Sequence, residues 1–169
     1  MKKTLALIIS IACLSFYPAH SVKALSPLGA MTVPPSKTVN LKYSKEQIFD
    51  FILQYKNKQP IPSIALPSLH LKSKTPLKQF QDDIEKQWGL RPKEITNAYV
   101  IHLNKIYLMD DADYYQKTGR CLDDSLAHEL THFYQSQYQG YTIDGNDDFF
   151  EMDAIEVQTA FREQFCRKP

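Results

Sequence analysis

The sequence predicts a small α+β domain, a short sheet packed on one central helix with helices before and after it. Three observations carry that expectation. Apolar residues recur at helical spacing in four stretches, around 44–53, 76–88, 122–138 and 148–166. Residues 95–109 instead set β-branched, aromatic and aliphatic side chains between polar ones, the pattern of short strands. The chain has 169 residues without repeats or low-complexity tracts, a length that suits one domain.

The first 24 residues are expected to leave the mature chain. Met1-Lys2-Lys3 is basic, Leu5 to Phe16 is an apolar run that Pro18 breaks, and Val22-Lys23-Ala24 offers permissive residues for cleavage after Ala24. The run is too short for a membrane span. Cys13 comes too early, after Ser10-Ile11-Ala12, for a lipidation signal. A bacterial signal peptide over 1–24 implies a periplasmic or secreted protein without a membrane span in its mature part. The balance is then 17 basic against 19 acidic residues. No basic patch with interleaved aromatics is present, so nucleic acid is not an expected partner. Only Cys121 and Cys166 remain, and in an oxidising compartment two cysteines are expected to pair. Oligomeric state is not legible.

Residues 25–40, with Pro27, Gly29, Pro34 and Pro35, read as an extended, poorly ordered leader; residues 41–169 are the domain. Ser44 caps the first helix, with Gln47 as its capping-box partner and Ile48, Phe49, Ile52 and Leu53 on the apolar side. Pro60, Pro62 and Pro67 forbid a long helix over 56–75 and leave room for extended pieces between Ile61 and Leu71. Thr75-Pro76 begins the second helix with Pro at the first helical position; Leu77, Phe80, Ile84 and Trp88 recur along it, and Gly89 ends it. Two strands around His102-Leu103-Asn104-Lys105 suggest a hairpin. The acidic run Asp110-Asp111-Ala112-Asp113 lacks the spacing and glycine of a calcium loop and reads as a solvated turn.

The third helix, from about Leu122 to Tyr138 and stopped by Gly140, carries His128-Glu129-Leu130-Thr131-His132. Residues four apart share a helical face, so the two imidazoles converge on one point, which suits a zinc ion (Zn2+), and Glu129 stands where its carboxylate reaches a water there. Leu122, Leu126, Leu130 and Phe133 form a separate core stripe, and Ser125 and Gln135 flank the histidine face. A catalytic zinc takes three protein ligands and keeps one position open. A third histidine is excluded in the longer motif that supplies one, because Gln135 and Tyr138 stand at its glycine and histidine positions. After a polar loop with Asp144-Gly145-Asn146, the last helix offers Glu151, Asp153, Glu156 and Glu163, with Phe150, Ala154, Val157, Phe161 and Phe165 along one side.

Leu126-Ala127-His128-Glu129-Leu130-Thr131-His132 followed by Glu151-Met152-Asp153-Ala154 resembles the gluzincin type of zincin, in its small secreted bacterial forms, over roughly residues 95–166. The resemblance implies His128, His132 and Glu151 as zinc ligands, with Glu156 and then Asp153 as alternatives, and Glu129 as general base. It implies a metallopeptidase acting on a peptide or protein, whose extended substrate could pair with the edge of the strand region. The sequence departs from the pattern at Ile155, where many members carry an aspartate that orients a ligand histidine; Asp153, Asp124 and Gln158 are candidates for that task. Tyr141, Tyr138, Tyr114 and His102 are candidate transition-state donors. The rival expectation is a non-catalytic, zinc-binding interaction protein of the cell envelope.

Overall fold

A computed structural model describes residues 37–142 and 148–166. The segment 1–24 expected as a signal peptide, most of the expected leader 25–40 and the Asp144-Gly145-Asn146 loop lie outside the described residues.

The order of elements is helix α1 (Lys45–Tyr55), strand β1 (Ser68–Leu71), helix α2 (Leu77–Trp88), strand β2 (Ala98–Val100), strand β3 (Lys105–Leu108), then helices α3 (Ala112–Thr118), α4 (Leu122–Gln139) and α5 (Asp148–Phe161); a π turn over Arg162–Cys166 continues α5. This is a small α+β domain. The expected capping box is formed: Gln47 N–H donates to Ser44 Oγ at 3.2 Å, and Ser44 N–H to Gln47 Oε1 at 2.9 Å. Pro76 stands at the N-cap of α2, one residue before its expected place, and Gly89 closes the helix at φ 68°. Gly140 closes α4 in the same left-handed conformation, which glycine adopts without a Cβ penalty.

The sheet has the order β1-β3-β2, with β1 parallel and β2 antiparallel to the central β3. Asn104, at φ 48°, turns the β2–β3 hairpin. Successive strand residues face opposite sides, and the sheet uses both. Ala98, Val100 and Tyr107 meet Phe80 and Ile84 of α2. Tyr99, Ile106 and Leu108 meet α1 and α4. Each fully buried side chain of this size contributes roughly 1.5–3 kcal/mol relative to exposure. The layers are therefore α2, the sheet, and then α4 with α1 and α5.

Three expectations are corrected. The acidic run is not a solvated turn: Asp110 is 2% exposed and accepts from both the backbone N–H and the hydroxyl of Ser73, and Asp111 pairs with Lys72 at 2.6 Å. Compensating bonds make such burial tolerable. Short α3 begins directly after it. The end of the leader is held: Val39 N–H donates to Asp110 O at 3.0 Å, Ala112 N–H to Lys37 O at 2.8 Å, and Thr38 bridges Asp111. Finally, α4 is not a helix with one buried stripe. Asp123, Asp124, Ser125, Thr131 and Gln135 are as buried as its leucines: α5 covers Asp124 and Gln135, and the backbone of Lys42 and Tyr43 covers Asp123.

Cys121, the N-cap of α4, is bonded to Cys166, with their Cα atoms 6.1 Å apart. The bond fixes the end of α5 against the start of α4. Ala154, Val157, Gln158 and Phe161 fill the helix interface.

Candidate metal centre

Leu126, Leu130 and Phe133 anchor α4 on the sheet, Phe133 meeting Tyr99 edge to face at 5.9 Å. With the helix held this way, His128 and His132 stand one above the other, their Nε2 atoms 3.1 Å apart. The first turn of α5 brings Glu151 to them. Its Oε2 lies 3.5 Å from His128 Nε2 and its Oε1 lies 3.2 Å from His132 Nε2. The small side chain of Ala154, fully buried one turn further on, is what lets α5 approach this closely. His128, His132 and Glu151 thus form a group that could hold a metal ion.

The alternatives for the third position lie elsewhere. Asp153 pairs with Lys56 and accepts from Gln135, and Glu156 accepts from the Tyr55 hydroxyl at 2.6 Å. Glu156 and Glu163 line a different groove, beside Tyr55.

The electrostatics follow the geometry. Hydrogen bonds from His128 and then His132 hold the Glu151 carboxyl well below the usual carboxylate range. Burial opposes a charge on His132, but Glu151, Glu129 and Gln135 outweigh it and raise its pKa. Glu129 is 5% exposed, and burial pushes its pKa up against the pull of the two imidazoles. A backbone hydrogen bond from Tyr99 also favours its charged form.

His132 Nδ1–H donates to Gln135 Oε1 at 2.9 Å. Gln135 Nε2 in turn donates to Asp153 Oδ2 and to Phe150 O, both at 3.0 Å. With Nδ1 held as the donor, Nε2 either carries the proton it donates to Glu151 or, once that proton is lost, directs its lone pair to the point the three groups share. Gln135 therefore performs the orienting task, and Asp153 acts through it. Asp124 and Gln158 bind each other at 3.0 Å near the start of α4 and take no part. His128 Nδ1 is buried and finds no partner among the described residues, so the two imidazoles are not equally oriented.

A cleft of about 270 Å³ opens over the group, lined by Gln87, Trp88, Asn97, Ala98, Tyr99, His128, Glu129, His132 and Glu151. None of the four expected transition-state donors lines it. The Tyr138 hydroxyl accepts from Ile61 N–H at 3.0 Å, the Tyr114 hydroxyl accepts from Arg120 at 3.3 Å, Tyr141 packs on Phe150, and His102 is exposed. The wall from α2 was missed by sequence reasoning, whereas a strand edge beside the histidine helix was expected. Only Gln135 left a local signal, three residues after His132 on one helical face.

No protein-family model, curated protein or solved structure matches this chain.

Proposed function

We propose that the domain is a zinc-dependent metallopeptidase of gluzincin type that hydrolyses peptide bonds in an oxidising, extracytoplasmic compartment. The observation that carries the reading is the convergence of His128 Nε2, His132 Nε2 and a Glu151 oxygen beside a buried Glu129. Ligands about 2.0–2.2 Å from a tetrahedral zinc stand about 3.3–3.6 Å apart. The donor separations of 3.1, 3.2 and 3.5 Å fit that triangle. Among the described residues the group has three members, which leaves a position open for water. Two imidazoles and one carboxylate also suit iron(II); a buried carboxylate placed as base favours hydrolysis.

When bound, zinc supplies a Lewis acid that makes a water nucleophilic near neutral pH. Glu129 takes a proton from the attacking water and delivers it to the leaving amine nitrogen. Gln135 keeps the His132 lone pair directed into the cleft, and Glu151 completes the triad from α5. The bonded cysteines fit the compartment.

The test is to purify the mature chain, measure bound zinc, and assay a peptide library. Wild type should hold one zinc and cleave. Glu129→Gln should retain the ion and lose about 10²–10⁴-fold in rate. Glu151→Gln should lose the ion, and Glu156→Gln should change neither. Bound zinc with equally negligible cleavage by wild type and Glu129→Gln would point instead to a zinc-binding interaction protein.

A further inference from the structure

The outer edge of β2 forms one wall of the cleft, since β2 ends the strand order. Backbone groups on such an edge are the positions an added strand uses. Here they are taken. Tyr99 N–H serves Glu129. Gln87, in the last turn of α2, reaches across with its carboxamide: Nε2 donates to Tyr99 O at 3.0 Å, and Oε1 accepts from Ile101 N–H at 3.0 Å. The amide's orientation follows from the chemistry, because a carbonyl needs a donor and an N–H an acceptor. The carbonyl of one residue and the N–H of the residue two further on form the ladder pair that a neighbouring strand satisfies, whichever way it runs.

We infer that Gln87 is a substrate-gating residue: its carboxamide stands in for a peptide group on the β2 edge, and an extended polypeptide docks by exchanging with it. The inference rests on the peptidase reading and narrows the substrate to an extended chain segment that pairs through its backbone. Docking then trades two hydrogen bonds for two, so backbone pairing adds little net affinity. Discrimination falls to whichever side chains meet Trp88 and the open side of the cleft. Removing the amide leaves water as the only competitor for these two positions, so docking gains the small net value of each bond.

The probe is a hydroxamate-terminated tripeptide of alanine and leucine, compared with acetohydroxamate, which chelates zinc but has no backbone to pair. Gln87→Ala should bind the tripeptide about three- to tenfold tighter than wild type, and acetohydroxamate equally. Gln87→Met, which keeps the bulk and lacks the amide, should behave the same way and guards against a folding defect. Without probe, the Ile101 amide should exchange hydrogen faster in both variants than in wild type; adding the tripeptide should restore its protection. Unchanged or weaker tripeptide binding by both variants, with zinc retained, would show that Gln87 only caps the turn after β2 and overturns the inference alone. A wild-type protein that holds no zinc fails earlier, before any peptide is added, and takes the peptidase reading with it.

Discussion

Helix α4 buries two polar clusters, and their difference separates structural polarity from functional polarity. At its start, Cys121, Asp124 and Cys166 bring potential ligand atoms within reach of one another, as His128, His132 and Glu151 do further along. In the first cluster every group is consumed internally. The cysteines are bonded to each other. Asp124 accepts from Cys121 N–H at 3.0 Å and from Gln158 at 3.0 Å, and pairs with Arg120 at 3.2 Å. In the second, three ligand atoms point at one another beside a cleft, one buried imidazole nitrogen has no partner among the described residues, and Glu129 is buried beside both imidazoles. A cluster whose acceptors are all answered by donors holds a fold together. A cluster whose ligand atoms face a common point beside a cleft could hold an ion that arrives from outside.

Three experiments press on that contrast. The largest effect is expected from Asp124→Ala. It leaves Arg120 and the Cys121 N–H without their buried acceptor and should destabilise the protein by about 3–5 kcal/mol in denaturant melts; the folded fraction should still bind zinc stoichiometrically. Loss of zinc at full folding would merge the two clusters into one. Next comes replacement of both cysteines by serine, which should cost about 2–4 kcal/mol, read as a lower melting temperature. Zinc stoichiometry of the folded protein should again be unchanged, and a fall in it would mean that the bond, rather than the helix interface, sets the position of Glu151. The smallest effect in energy is the most diagnostic. Gln135→Ala should weaken zinc affinity about 10–100-fold in competition with a chelator, and should cost the zinc-free protein about 1–3 kcal/mol, because Phe150 O and Asp153 lose their buried donor. Equal affinity would remove Gln135 and Asp153 from the orienting network.

The sequence was most legible where cause and effect are close along the chain. The Ser44–Gln47 cap, the glycines that end α2 and α4, and the meeting of His128 with His132 all follow from spacings of four residues or fewer. Glu151 was reached by resemblance and not by spacing, since only the packing of α5 on α4 decides which acid of that helix meets the histidines. The hairpin was visible in its alternation. The parallel pairing of β1 with β3 was not, because Ser68 and Lys105 are brought together by everything folded between them. Asp110 was misread for the same reason: a run of acids looks solvated until Ser73, from a distant turn, donates to it. Gln87 and Trp88 are further cases, a helix end that acquires its role only by crossing a strand edge.

The division of the triad between two helices has a consequence for biosynthesis. A chain emerging N-terminus first presents both histidines before Asp148–Phe161 exists to cover them. At that stage an ion would find two imidazoles and no carboxylate, and the side of α4 that α5 covers is bare. The three-member group is therefore complete only once Asp148–Phe161 has docked on α4.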